Sequence, residues 1–180
     1  MFVKVCGITA PEQIEWAVDL GYSAIGVVMH RPSIRYCDVR RARELAQCAH
    51  GSIASIAVGV TFDEVSDCYA DFNYIQLYEY RELERLIYAG TSVTPAMKYE
   101  YFLYDASRGS GLPGELPEWL HDINGRVIIS GGLSPGTVKA VVRDFVPFGV
   151  DVSSGVEKTR GIKDYDLMKK FIAEVSDAVK

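Results

Sequence analysis

The chain has 180 residues, 48% of them apolar and 24% charged, the balance of a single globular domain spanning residues 1–180 and not of a disordered segment. Lys and Arg number 19 against 24 Asp and Glu, a formal charge of −5; with no run of like charge, a nucleic-acid partner held through a basic face is not expected. No apolar stretch reaches the roughly 20 residues that cross a bilayer, and MFVKVCGIT lacks a charged-then-apolar leader pattern, so a cytoplasmic protein with no membrane partner is expected. Cys6, Cys37, Cys48 and Cys68 are widely spaced, without a Cys-x-x-Cys pair, which predicts neither a disulfide framework nor a metal site.

Short β-branched runs alternate with amphipathic stretches along the chain. Phe2 to Cys6 reads as a strand and Pro11 to Leu20 as a helix, with Thr9 and Glu12 in capping-box spacing and Pro11 in the first turn. Ala24 to Val28 precedes a helix around Val39 to Cys48, and Ile53 to Val60 precedes one around Asp63 to Ala70. A fourth strand, Tyr74 to Leu77, is followed by a helix near Glu82 to Ala89. Further strands read at Val93 to Met97, Tyr101 to Tyr104, Arg126 to Ser130 and Gly149 to Ser153. Periodic βα units imply a parallel sheet, and eight strands imply an α/β fold of the (β/α)₈, or TIM, barrel type. At about 22 residues per unit the barrel is compact against the usual size of roughly 250 residues. The gap from Lys98 to Glu100 is too short for a helix, so helix five is expected to be missing or reduced to a loop. Tyr99, Tyr101 and Tyr104 are expected to cover part of the exposed flank with their hydroxyls in water. An open doubly wound sheet with a hairpin at that point is the alternative.

In a barrel the chemistry sits at the carboxyl ends of the strands, which selects Cys6, His30 to Arg35, Thr61, Gln76 to Glu79, Lys98, Asp105, Gly131 with Gly132, and Asp151 to Ser154. SGGLSPGTV ends a strand with two glycines and opens a helix at Ser134 and Pro135, a place where free amides and the helix dipole favour an anion. Ser153, Ser154 and Gly155 add donors at the start of a short extra helix, and adjacent loops after strands seven and eight form the usual barrel phosphate site. RGSG, Arg108 to Gly111, follows strand six and either covers the same anion or is a plain surface loop. Cys6 is followed by Gly7, which leaves room for a ligand; as a base the thiol needs help to ionise. Asp105 is a candidate acid or a loop cap, Asp151 is the rival carboxylate, and the Arg35 guanidinium suits a planar carboxylate.

These residues fall in strings that together resemble a known family. KVCGIT, GYSAIGVVMHRPSIRYC, VGVTF, IQLYE, FLYDASRGSG, ISGGLSP and GVDVSSGVE occur in the order found in the phosphoribosylanthranilate isomerases of tryptophan biosynthesis, covering essentially the whole chain. The resemblance implies an Amadori rearrangement of N-(5'-phosphoribosyl)anthranilate with no cofactor. It casts Cys6 as general base, Asp105 as general acid and Arg35 as the grip on the anthranilate carboxylate. It places the phosphate on amides around Gly131, Gly132, Ser153 and Ser154, with Gly155 beside them. Gln76, Asp151 and, from the loop after strand six, Gly109, Ser110 and Gly111 line the pocket in this reading. Family members commonly read QLHG where this chain has Gln76, Leu77, Tyr78 and Glu79. The partner is a small phosphoribosyl substrate, and the protein is a monomer or homodimer. The alternatives are an isomerase that also accepts a phosphoribosyl substrate of histidine biosynthesis, and a phosphosugar-binding barrel without turnover.

Overall fold

In the computed structural model, which describes residues 1–94, 96–107, 116–123 and 125–180, the apolar runs close into a parallel barrel in the order β1 to β8, with β8 returning to β1. The strands are β1 Phe2–Cys6, β2 Ala24–Val28, β3 Ala54–Gly59, β4 Tyr74–Leu77, β5 Leu86–Gly90, β6 Tyr101–Asp105, β7 Val127–Ser130 and β8 Gly149–Val152. Closure removes free strand edges. Because successive side chains alternate faces, Cys6, Ala24, Val28, Ile56, Val58, Ile87, Leu103 and Ile128 fill the barrel, while Val3, Val5, Ile25, Val27, Ile75 and Leu77 pack outward.

Four α-helices stand among the described residues: α1 Pro11–Leu20, α2 Val39–Ala49, α3 Val138–Phe145 and α4 Tyr165–Ala178. Asp38 and Asp164 cap α2 and α4 by accepting the amides of Arg41 and Leu167. The box expected from Thr9 and Glu12 does not form. Instead the Gln13 side chain, one position on, reaches back to accept the Thr9 N–H at 2.9 Å. Nor does Ser134 open a helix: Ser134 and Thr137 close a turn on each other, and α3 begins only at Val138.

The helices follow β1, β2, β7 and β8; among the described residues none follows β3 to β6. The helix expected near Asp63 to Ala70 is replaced by two 3₁₀ turns, Phe62–Glu64 and Tyr69–Asp71. The helix expected near Glu82 to Ala89 is the approach to β5, and the described residues of Val93 to Met97 carry no strand. The charged run RELER has helical composition, but a strand enclosed on both faces needs a continuous apolar run. LIYAG supplies one, with Leu86, Ile87 and Ala89 fully buried, whereas the candidate at Val93 is interrupted by Pro95. Lys98 therefore lies away from a strand end, paired with Glu82 at 2.7 Å on the surface. Between β5 and β6 no described residue is helical, as expected, although the connection runs over residues 91–100 and not only over Lys98 to Glu100.

The tyrosines divide between two tasks. Tyr99 and Tyr104 pack on the outer flank, near Phe102 and edge-on to Trp119 respectively. Tyr101, expected there too, points inward because it shares the parity of Leu103 and Asp105. It stacks with Phe2 at 5.6 Å and Phe148 at 5.1 Å at the amino-terminal end of the barrel, and the Arg126 guanidinium lies over two of these rings.

Candidate active site

A cavity of about 1200 Å³ opens at the carboxyl ends of the strands, and Cys6, Arg35, Gln76, Tyr78, Asp105, Gly131, Gly132, Asp151, Ser153 and Ser154 all line it. The thiol and the candidate acid thus share one chamber. Gly109, Ser110 and Gly111 lie outside the described residues.

Parity on β1 puts Lys4 directly below Cys6, fully buried inside the barrel. Gly26 of β2 makes room for both: a Cβ there would stand 2.9 Å from the Cys6 Sγ and 3.1 Å from the Lys4 Cε. Lys4 Nζ donates to Asp151 Oδ1 at 2.9 Å, and the Ser130 hydroxyl donates to the other oxygen at 3.1 Å. Burial works to discharge Lys4, but Asp151 and Cys6 outweigh it and hold the ammonium above its ordinary pKa. Burial pushes the Cys6 thiol up, opposed by the charges of Lys4 and Lys163. Cys6 is therefore a thiol flanked by two cations that favour its ionised form.

Lys163 is itself buried. Its pKa is lowered by that burial, and it donates to the Ser153 carbonyl at 3.0 Å and to Glu157 at 2.7 Å. Glu157 also takes the Arg35 guanidinium in a two-point fork, Nε and Nη2 each at 2.7 Å. Although burial alone would raise it, these cations pull the Glu157 carboxyl down to about 2. Arg35 reaches this position over Gly7, whose φ of +82° and missing Cβ leave space for the arginine side chain. The room at Gly7 is thus filled by Arg35 and not by ligand. One edge of the guanidinium is committed to Glu157, and Nη1 is the amino group outside the fork.

Asp105, at the end of β6, is 3% exposed. Its Oδ1 accepts the Ser107 amide at 3.0 Å and the Ser107 hydroxyl at 2.7 Å, and its Oδ2 accepts the Tyr78 hydroxyl at 2.6 Å. The loop-cap and acid readings of Asp105 are therefore compatible. Gln76 is buried on the cavity wall, and its Oε1 has no hydrogen-bond partner among the described residues.

Over β7 and β8 the loops meet closely. Gly131 and Gly132 take φ of +93° and +75°, and a side chain at Gly131 would overlap the amides of Ala106 and Ser107. Ser153 has its hydroxyl on the Cys6 carbonyl at 3.0 Å. Gly155 does not line the cavity; a Cβ there would overlap the Leu133 carbonyl, so this glycine lets the two loops close on each other. Lys158 and Arg160 line the same end of the cavity and, like Lys4, Lys163 and Glu157, were not singled out from the sequence. For Lys4 a signal existed, a lysine at inward parity within an apolar strand; for the others none did. The described residues hold no cluster of three or more His, Cys, Asp or Glu able to hold a metal, and no described helix is long and apolar enough to cross a membrane.

A closed (β/α)₈ barrel with glycine-turned, cation-flanked loops after β7 and β8, beside a cysteine and a buried carboxyl, defines a barrel of the phosphosugar-handling class. Comparison with known proteins narrows this. The family model for N-(5'-phosphoribosyl)anthranilate (PRA) isomerase matches residues 113–174. The N-(5'-phosphoribosyl)anthranilate isomerase of Halorhodospira halophila is 34% identical over 96% of this chain and 95% of its own. Among solved structures, TrpF from Jonesia denitrificans superposes with a TM-score of 0.83 at 26% identity, covering 99% of this chain and 98% of its own. A phosphoribosyl anthranilate isomerase in complex with reduced 1-(o-carboxyphenylamino)-1-deoxyribulose 5-phosphate gives 0.78 at 28% identity, covering 98% and 99%. The chain belongs to the N-(5'-phosphoribosyl)anthranilate isomerase family.

Proposed function

We propose that this protein converts N-(5'-phosphoribosyl)anthranilate to 1-(2-carboxyphenylamino)-1-deoxyribulose 5-phosphate, with Asp105 as general acid and Cys6 as general base. The observation that carries this reading is that both side chains line one cavity whose rim holds the glycine loops after β7 and β8. The related structure in complex with reduced 1-(o-carboxyphenylamino)-1-deoxyribulose 5-phosphate supports the ligand chemistry.

Protonated Asp105 gives its proton to the furanose ring oxygen, the C1–O bond breaks, and the nitrogen lone pair forms the Schiff base. Cys6, its thiol proton released to solvent as the iminium forms, then takes the proton from C2 as the thiolate, and the electrons of that bond neutralise the iminium to give an enolamine, which tautomerises to the ketone product. The order follows from the electrostatics. Burial disfavours a thiolate before substrate arrives, whereas the iminium adds a third positive charge to those of Lys4 and Lys163. Phosphate is held by the loops of Gly131, Gly132, Ser153 and Ser154 with Lys158 and Arg160 nearby, and the substrate carboxylate meets the outer edge of Arg35. Holding both ends of the substrate fixes the sugar between acid and base, the positional share of the rate enhancement. The protein acts as a monomer of 19.9 kDa or as a homodimer, which sedimentation velocity separates.

The test is loss of substrate fluorescence on adding the purified protein. Cys6→Ser and Asp105→Asn are each expected to lower kcat by about 100-fold or more while substrate binding persists. Near-wild-type turnover in either variant would remove the role assigned to that residue.

A further inference from the structure

We propose that Tyr78 is a positioning residue for the acid, its hydroxyl fixing the orientation of the Asp105 carboxyl through Oδ2. This rests on the isomerase reading and adds to it a residue that the family's motif does not supply. Tyr78 follows β4 and shares the inward parity of Tyr74 and Gln76. To reach Asp105 at the end of β6 its ring must cross β5. One step beyond the Leu77–Tyr88 pair in the register, the inward residue of β5 is Ala89, fully buried and small enough for the ring to pass. The hydroxyl then meets Asp105 Oδ2 at 2.6 Å.

The two carboxyl oxygens are not equivalent. Oδ1 is held by its own loop, accepting both the Ser107 amide and the Ser107 hydroxyl, whereas Oδ2 is held from across the barrel by the Tyr78 phenol. Oδ2 faces a hydroxyl, which donates to the carboxylate and can turn to accept from the carboxylic acid. The phenol thus adapts to both states of the group without moving its ring, and gives the carboxyl a second fixed point beyond its own loop. Burial, then the charge of Asp105, and further the charges of Cys6 and Asp151, hold the Tyr78 hydroxyl well above the usual tyrosine range, so it keeps its proton throughout.

The test compares wild type, Tyr78→Phe and Tyr78→His for kcat, KM and melting temperature with N-(5'-phosphoribosyl)anthranilate. Phenylalanine keeps the ring and removes the hydroxyl; histidine gives up ring volume and keeps a donor. We expect Tyr78→Phe to lower kcat about tenfold to 100-fold, a share of what acid catalysis supplies, with KM within about twofold and a wild-type melt. Tyr78→His should recover kcat to within a few-fold of wild type. Unchanged kcat in Tyr78→Phe, a loss confined to KM, or a histidine variant no better than the phenylalanine one each overturns the inference. An inactive wild type would instead overturn the isomerase reading, and this inference with it.

Discussion

Lys4→Met tests the charged centre of the barrel. Methionine preserves most of the side-chain volume and removes the ammonium, leaving Asp151 without its 2.9 Å partner in a site where the lysine side chain is 0% and the aspartate side chain 6% exposed. Removing one member of such a buried pair costs about 3–5 kcal/mol. The Ser130 hydroxyl still donates to Asp151, which points to the lower part of that range. For a chain of this size each kcal/mol moves the melting point by about 2–4 °C, so a drop of about 6–16 °C is expected. The deficit also depends on pH. Burial already pushes the Asp151 carboxyl up, and without Lys4 the folded state binds a proton that the unfolded chain releases. Stability of the variant is therefore closest to wild type in acid, below the unfolded pKa of aspartate, and falls behind as pH rises. Lys4→Met with Asp151→Asn replaces the orphaned charge by a neutral amide and should regain most of the loss. Urea unfolding followed by circular dichroism at pH 5 and pH 8 measures both effects. A single variant within about 1 kcal/mol of wild type at pH 8, or a double variant weaker than the single one, would refute the reasoning.

Two further outcomes are expected. Glu157 has its pKa lowered from 4.5 to about 2 by Arg35 and Lys163 against its burial; the unfolded chain binds the proton first, so this stabilisation is complete above pH 4.5 and lost as pH falls toward 2. It amounts to a contribution on the order of 3 kcal/mol; acid unfolding should show that limb flattened in Glu157→Gln, and an identical acid limb would argue against it. Gly155→Ala places a methyl group against the Leu133 carbonyl, which should cost about 1–3 kcal/mol and raise KM by parting the two loops over β7 and β8; unchanged KM and stability would show that the loops do not depend on that contact.

Strand parity made much of this legible. Cys6, Asp105, Gly131 and Asp151 could be placed at one mouth because each ends an apolar run, and parallel barrels put those ends together. β5 was misread because the charged residues before it have helical composition, and only closure of the ring decides that Leu86–Gly90 must lie between β4 and β6. Arg35 was found as a pocket residue, but its fork onto Glu157 joins positions 122 residues apart, and no local pattern carries such a pairing. Gly7 was recognised as a place needing space, yet what fills that space is fixed only when the loop after β2 folds back over it.

The stacked rings of Phe2, Tyr101 and Phe148 under the guanidinium of Arg126 make the barrel a cup with a floor and not a tube. Above that floor the lysine side chain is fully enclosed and the aspartate nearly so, so their mutual attraction works in a poorly screening medium, and the cavity for a guest lies at the opposite rim.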